Sequence, residues 1–195
     1  MIQLIDYGAG NLQSIKNALT KLDSKFEVIS SPKDIKANSK IIFAGVGAAG
    51  SAMQSLKKSG FDKALPKIEN PFLGICLGMQ LLFDYSEEND TKCLGIIDGD
   101  VRRFPVGITT PQIGWNKAEL DSQTPLFKGI KNNSYFYFVN SYYAKPTSNN
   151  SIAQTEYGIT FCSAVAKDNY YGVQFHPEKS GETAQKILLN FIDLC

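Results

Sequence analysis

The first half of the chain alternates short apolar segments with amphipathic ones, and this rhythm constrains the fold more than any other feature. Four apolar runs of strand length set the pattern: residues 2–6, 26–29, 40–43 and 71–75. Segments between them place apolar side chains at helical spacing, and Asn11 is a suitable N-cap for the first predicted helix. Repeated strand–helix–strand units of this kind form a parallel sheet covered by helices.

The second half has a different pattern, with short strands separated by turn residues. Candidate strands lie at residues 135–139, 152–154, 160–165 and 170–174. Such spacing favours antiparallel hairpins, and a last helix is predicted after Ser180, its N-cap. With 195 residues and no repeat or linker, the chain is predicted to be one domain, residues 1–195. The predicted fold is α/β, with a mostly parallel central sheet flanked by helices and an antiparallel, strand-rich second half.

Charge and composition argue against several classes of function. The net charge is +1 and no long basic run occurs, so we expect no nucleic-acid partner. No apolar run has the length of a membrane span, and no basic segment followed by a long apolar stretch begins the sequence. The four cysteines lack the spacing of metal ligands. We therefore expect a cytoplasmic protein with reduced thiols, no membrane association and no metal.

Residues 74–78, with the sequence GICLG, place Cys76 between two glycines, after an apolar strand and before a predicted helix at residues 77–83. This is the G-x-nucleophile-x-G elbow, with cysteine as the nucleophile. Side chains two positions from the nucleophile would collide in so tight a turn. The following helix N-terminus favours a thiolate, and the backbone N–H of Leu77 would face a developing oxyanion. The alternative is a buried structural cysteine.

The single histidine, His176, lies in residues 172–178, GVQFHPE. Side chains two apart in an extended segment point the same way, so His176 and Glu178 project together. Pro177 supports this geometry because it favours an extended preceding residue. Glu178 would accept one imidazole N–H and leave the other nitrogen for the thiol. A lone histidine is more often structural and a lone glutamate is more often solvated, but the elbow favours the catalytic interpretation.

The order of these motifs resembles the class I, triad-type glutamine amidotransferases, in which a cysteine elbow precedes a His-x-Glu motif near the C-terminus. Four further stretches narrow the resemblance to the glutaminase subunits of imidazole glycerol phosphate synthases: residues 5–12 (IDYGAGNL), 45–47 (GVG), 113–116 (IGWN) and 138–142 (FVNSY). The resemblance covers the whole chain. It implies that Cys76 is the nucleophile, His176 a general base and then acid, and Glu178 the residue that orients the imidazole, without a cofactor.

The resemblance also implies binding residues for glutamine. Gln80 lies about one helical turn past Cys76, hence on the same side, and the remaining pocket residues are Gly47, Asn140, Ser141 and Tyr142. The N–H of Val46 would join that of Leu77 in the oxyanion hole.

A second set of positions concerns a partner. Trp115, Asn116 and Lys179 match positions at the interface with a (β/α)₈-barrel cyclase, the other subunit of a heterodimer that receives ammonia. Family members are nearly inactive until this partner and its ligand bind, and the glycine-rich turn at residues 45–47 suits such gating.

Three positions depart from the family pattern. Ala44 stands where proline is usual, and Gln112 and Asn140 stand where histidine is frequent. They leave open a different ammonia acceptor, such as a synthase that acts on surface sugars. Two further alternatives are a non-catalytic interaction module with the same fold and a cysteine hydrolase such as a peptidase.

Overall fold

The first-half strands form the parallel part of a central sheet. The computed structural model describes residues 1–8 and 12–195, and the predicted cap Asn11 lies outside them. The elements of this half are β1 (Ile2–Ile5), α1 (Leu12–Lys21), β2 (Phe26–Ile29), β3 (Lys40–Gly45), α2 (Ala49–Ser59), α3 (Phe61–Ala64), β4 (Phe72–Cys76) and α4 (Leu77–Gln80).

The second half contributes nine strands and the last helix of the described residues. They are β5 (Phe83–Ser86), β6 (Thr91–Lys92), β7 (Ile97–Arg103), β8 (Gln112–Leu120), β9 (Ser134–Asn140), β10 (Tyr142–Pro146), β11 (Ser151–Glu156), β12 (Thr160–Lys167), β13 (Tyr170–Val173) and α5 (Gly181–Leu194). Short 3₁₀ helices occur at Pro32–Asp34, Leu65–Lys67, Pro125–Phe127 and Pro177–Lys179.

The strand order of the sheet is β2-β1-β3-β4-β13-β12-β10-β7-β5-β6, and β11, β8 and β9 continue from β12. The five neighbours β2, β1, β3, β4 and β13 are mutually parallel. Beyond them, β13 pairs with β12, β12 with β10 and β10 with β7, each time in antiparallel fashion. The predicted α/β fold is confirmed. Because β13 lies beside β4, with Val173 opposite Ile75, the segment that follows β13 meets the segment that follows β4. Ligand sites of open α/β sheets form at such carboxyl ends.

Apolar packing covers both faces of the parallel strands. Along β3, Ile42 and Ala44 belong to the core cluster that contains α1 and α5 side chains. Ile41 and Phe43 belong to the cluster on the opposite face, with α2. This alternation explains why β3 is a continuous apolar run, since a strand buried on both faces needs apolar residues at every position.

The predicted helix at residues 77–83 was wrong in its second half. Helix α4 ends at Gln80, and Phe83 begins β5, which pairs in parallel with β7. Leu81, Leu82 and Phe83 are all fully buried. A run without a polar face carries no helical period, so the pattern could not separate a buried helix from a buried strand.

Three free cysteines, Cys93, Cys162 and Cys195, lie outside the elbow. Within residues 1–8 and 12–195, no group of three His, Cys, Asp or Glu side chains is close enough to hold a metal ion. Burial raises the pKa of Cys93 to about 12 and that of Cys162 to about 11. Both therefore stay protonated thiols, which are inert at neutral pH.

Among the described helices, none is both long and apolar enough to cross a membrane.

Candidate active site

Cys76 occupies a strained turn between β4 and α4. Its φ of 55° and ψ of −112° are unusual for a residue with a side chain. A Cβ on Gly74 would lie 2.5 Å from the carbonyl oxygen of Gly78, and a Cβ on Gly78 would overlap the carbonyl oxygen of Phe43. The two glycines therefore allow the backbone to fold tightly around the nucleophile, as the elbow interpretation requires.

His176 and Glu178 form a buried pair beside this turn. The imidazole Nδ1 lies 2.9 Å from Glu178 Oε1, and the two side chains are 6% and 5% exposed. The backbone of His176 is fixed at both ends, because its N–H donates to Tyr137 O at 2.9 Å and its carbonyl accepts from Ser180 Oγ at 2.6 Å.

Ser180 has a different role from the predicted one. It precedes α5 but makes no side-chain cap bond to that helix. Instead its hydroxyl donates to His176 O and accepts the N–H of Tyr137 at 2.8 Å. The hydroxyl thus ties the catalytic segment to β9, a long-range contact that local cap patterns do not reveal.

The charge of His176 follows from its neighbours. Burial lowers its pKa, but hydrogen bonds with Cys76 and Glu178, together with their charges, raise the pKa to about 10. Since Nδ1 faces Glu178, Nε2 is the atom left for the Cys76 sulfur. The sulfur of Cys76 and the carboxylate of Glu178 therefore both favour the protonated form of the ring.

The sulfur of Cys76 has a further neighbour that the sequence did not identify. Nε2 of Gln174 lies 3.7 Å from Sγ, on a side chain that is 0% exposed. The sequence offered a signal, because Gln174 precedes His176 by two positions, as Glu178 follows it by two. Sγ also lies 3.8 Å from the carbonyl oxygen of Val139.

A cavity of about 290 Å³ opens in front of Cys76 and His176. All the predicted glutamine-binding residues line it, namely Gly47, Gln80, Asn140, Ser141 and Tyr142. Val46 and Leu77, the predicted oxyanion residues, line it as well. Gly45 pairs with Cys76 in the β3–β4 ladder, which places the glycine-rich turn directly beside the nucleophile.

The three predicted interface residues lie in different surroundings. Trp115 is 55% exposed on β8, with its ring 6.1 Å from that of Tyr137. Asn116 donates to Glu156 O at 2.8 Å, so its amide is used within the chain. Lys179 is exposed and lines the cavity. Their interface role remains a prediction.

Two of the departures from the family pattern prove to be neighbours. Gln112 and Asn140 lie opposite each other in the β8–β9 ladder, and both are buried. Among the described residues, Gln112 Oε1 and Asn140 Oδ1 have no hydrogen-bond partner. The third, Ala44, lies in β3 opposite Ile75, directly before the glycine-rich turn.

Comparison with known proteins gives a family match and several relatives that share one description. Residues 3–194 match the family model of the class-I glutamine amidotransferases. Three relatives share the description imidazole glycerol phosphate synthase subunit HisH. That of Methanocaldococcus jannaschii is 48% identical, with 100% of both chains covered. That of Dehalococcoides mccartyi is 47% identical over 100% of this chain and 97% of the relative. That of Haemophilus influenzae is 42% identical over 98% and 96%.

Solved structures agree on the fold. A glutamine amidotransferase superposes with a TM-score of 0.74 at 14% identity, covering 98% of this chain and 97% of that one. A glutamine amidotransferase from Thermotoga maritima gives 0.66 at 19% identity, covering 98% and 82%. The family match spans almost the whole chain, and the full-length relatives are 42–48% identical. The chain therefore belongs to the class-I glutamine amidotransferase family, among the HisH subunits of imidazole glycerol phosphate synthase.

Proposed function

We propose that this chain hydrolyses the side-chain amide of glutamine through a Cys76 thioester and passes the ammonia to a cyclase subunit that makes imidazole glycerol phosphate in histidine biosynthesis. One observation carries the proposal. Cys76 lies on a strained elbow at the wall of a cavity that the buried His176 also lines, and Glu178 holds Nδ1 of that histidine. This is the arrangement that activates a nucleophile and stores a proton for a leaving group.

Acylation begins with attack of the Cys76 sulfur on the amide carbon of glutamine. The N–H groups of Leu77 and Val46 stabilise the resulting oxyanion. Protonated His176 then donates its proton to the departing nitrogen, so ammonia leaves and a γ-glutamyl thioester remains. His176 thus takes the thiol proton as general base and then gives it to the departing nitrogen as general acid.

Deacylation uses the same residues in the opposite sense. Neutral His176 takes a proton from water as the water oxygen attacks the thioester carbon. Collapse of the second tetrahedral intermediate releases glutamate and returns the sulfur to its thiolate form. The imidazole is again protonated, and Glu178 holds its orientation in both steps through the 2.9 Å contact.

The proposed partner is a (β/α)₈-barrel cyclase that forms a heterodimer with this chain. The relatives are described as subunits of one synthase, which supports a second subunit. An apolar surface on β8 and β9 supports its position, because Ile113, Trp115 and Tyr135 are all more than half exposed. Exposed apolar patches of this kind mark interaction sites. Such biosynthetic relatives also support a cytoplasmic location.

A larger groove of about 680 Å³ runs along β8 and β11. Its described lining contains neither cysteine nor histidine, so it offers no nucleophile and base for amide hydrolysis. The smaller cavity beside Cys76 is therefore the proposed reaction site.

Labelling with a chloroketone analogue of glutamine, followed by peptide mass spectrometry, tests the proposed chemistry. We expect one adduct, on Cys76, because only this sulfur faces the amino-acid cavity. Cys93 and Cys162 serve as internal controls, since both are buried. Labelling that spares Cys76, or that is not slowed by excess glutamine, would support a non-catalytic module instead.

A further inference from the structure

Gln174 joins the nucleophile to the glutamine-binding residue Gln80. Its Nε2 lies 3.7 Å from Cys76 Sγ, and its Oε1 accepts a hydrogen bond from Gln80 Nε2 at 2.8 Å. The side chain is fully buried, and its backbone N–H donates to Ser163 O at 2.9 Å. The Gln174 amide therefore lies between Cys76 Sγ and the Gln80 amide, and each end of it contacts one of them.

The orientation of the Gln174 amide follows from a backbone carbonyl. Tyr142 O can only accept, and Gln80 Nε2 donates to it at 3.1 Å. This fixes which end of the Gln80 amide carries nitrogen. The second N–H of that nitrogen then needs an acceptor, which is Gln174 Oε1. The Gln174 nitrogen must therefore face the sulfur, so the assignment does not depend on an arbitrary choice between oxygen and nitrogen.

We propose that Gln174 is a positioning residue for the glutaminase reaction, with its N–H directed at the Cys76 sulfur and its carbonyl oxygen holding the amide of Gln80. Both donor hydrogens of Gln80 Nε2 are used by Tyr142 O and Gln174 Oε1. Gln80 therefore presents its oxygen to the cavity, where it accepts from N–H groups of the substrate. This proposal rests on the proposed function, since it assigns the orientation of that same site.

Several titratable groups besides Gln174's neighbours surround the Cys76 sulfur. Protonated His176, held by Glu178, faces it from the segment after β13. The charge of Cys76 acts on the Tyr7 hydroxyl, in the segment after β1, but burial is the main cause that raises the pKa of Tyr7 to about 12 and keeps this group neutral. Glu88 and Lys179 line the same cavity. Gln174 adds an uncharged N–H donor 3.7 Å from the sulfur.

Two variants separate the contribution of the Gln174 N–H from that of its carbonyl oxygen. Gln174→Glu keeps an acceptor for Gln80 but places a carboxylate oxygen near the sulfur. Gln174→Met has a similar length and removes both hydrogen bonds. Gln123→Glu, at an exposed position, is the matched control for the change of charge. The measurements are the pH dependence of Cys76 alkylation by iodoacetamide, followed on the Cys76 peptide, and kcat and KM with the cyclase subunit bound.

For Gln174→Glu we expect the pH midpoint of alkylation to rise by about one unit or more. We expect kcat to fall about tenfold or more, with KM nearly unchanged because the bond to Gln80 survives. For Gln174→Met we expect the midpoint and KM both to rise, and Gln123→Glu should match the parent. If Gln174→Met does not fold, Gln80→Met breaks the same bond from the other side and should raise KM.

A purely structural role predicts a different result. It would lower the melting temperature of Gln174→Met while the alkylation midpoints of both variants stay at the parental value, and this would overturn the proposal. Unchanged KM in both Gln174→Met and Gln80→Met would overturn its substrate-binding half. If the parent released no glutamate while the midpoint still shifted in Gln174→Glu, the proposed function would fail but the positioning of the sulfur would stand.

Discussion

At the level of single residues, the acid–base behaviour of the site depends on how His176 is enclosed. The ring is buried, which alone would favour its neutral form. The influence of Cys76 and of Glu178, whose Oε1 lies 2.9 Å from Nδ1, outweighs that effect, so the folded protein holds the proton more tightly than an unfolded chain does. The raised pKa therefore suits the ring to hold a proton until ammonia leaves.

Stability should depend on pH through this residue. The pKa of His176 is raised from 6.5 to about 10 by folding, so the stability contributed by its protonated form is complete below pH 6.5 and is lost as the pH rises toward 10. We expect the difference in unfolding free energy between the parent and His176→Gln to shrink across that interval. Urea unfolding at several pH values measures it, and a difference that grows with pH contradicts the assignment.

Replacing Glu178 with glutamine should separate orientation from charge. The variant keeps the size and an acceptor oxygen, but the negative charge beside Nδ1 is lost, which lowers the pKa of His176. We expect kcat to fall about 10²-fold with little change in KM. Steady-state kinetics with the cyclase subunit bound tests this, and Glu182→Gln, exposed on α5, is the matched control. Equal effects of the two variants would remove Glu178 from the mechanism.

At the level of secondary-structure elements, the elbow between β4 and α4 depends on close backbone contacts. A methyl group on Gly78 would overlap the carbonyl oxygen of Phe43 in the neighbouring strand β3. Phe43 pairs with Gly74 in the ladder between β3 and β4, so its carbonyl oxygen cannot move without disturbing the sheet. The glycine is therefore required for packing as well as for the nucleophile.

Gly78→Ala should consequently destabilise the protein by about 3 kcal/mol or more, because overpacking against backbone cannot relax. Gly107→Ala is the control, since Gly107 has a φ of +97° but open space around its Cα. There we expect only the conformational cost of about 1–2 kcal/mol. Denaturant unfolding of both variants gives the comparison, and similar losses would show that the Phe43 contact is unimportant.

Local patterns predicted most of the site and the parallel half of the fold, for physical reasons. The elbow at Cys76 is a property of a short segment. His176 and Glu178 meet as predicted, but Glu178 lies in the 3₁₀ helix Pro177–Lys179 and not in the extended segment that was predicted. Gln174 was missed, because its partners Gln80 and Cys76 are distant in sequence. The hydroxyl of Ser180 was assigned to a cap for a similar reason, since its contact with Tyr137 forms only in the folded chain.

At the level of the whole molecule, topology brings the motifs together. The carboxyl ends of β3, β4 and β13 are adjacent because β13, the last strand, inserts beside β4. The oxyanion turn, the nucleophile and the histidine segment therefore meet, although about 130 positions separate the first from the last. Hydrophobic patterns predicted where the strands lie in the sequence. They could not predict the order of the strands in the sheet, which depends on pairing between distant segments.

The exposed surface on β8 and β9 should bind the partner. We expect Trp115→Ala to weaken binding to the cyclase by about tenfold or more, since exposed tryptophans at interfaces frequently act as hot spots. Val28→Ala on the edge strand β2 is the control, because Val28 is also exposed and apolar. Calorimetric titration measures both affinities. An unchanged affinity for Trp115→Ala, with Cys76 labelling intact, would place the interface elsewhere.

The most direct test of the central claim is glutamate release from glutamine, measured for the chain alone and with the cyclase partner and its nucleotide ligand. The account predicts slow release by the chain alone, strong stimulation by the partner, and loss of both in Cys76→Ala. Glutamate release that persists in Cys76→Ala would contradict the assignment of the nucleophile. Release by the parent that the cyclase leaves unchanged would contradict the proposed coupling.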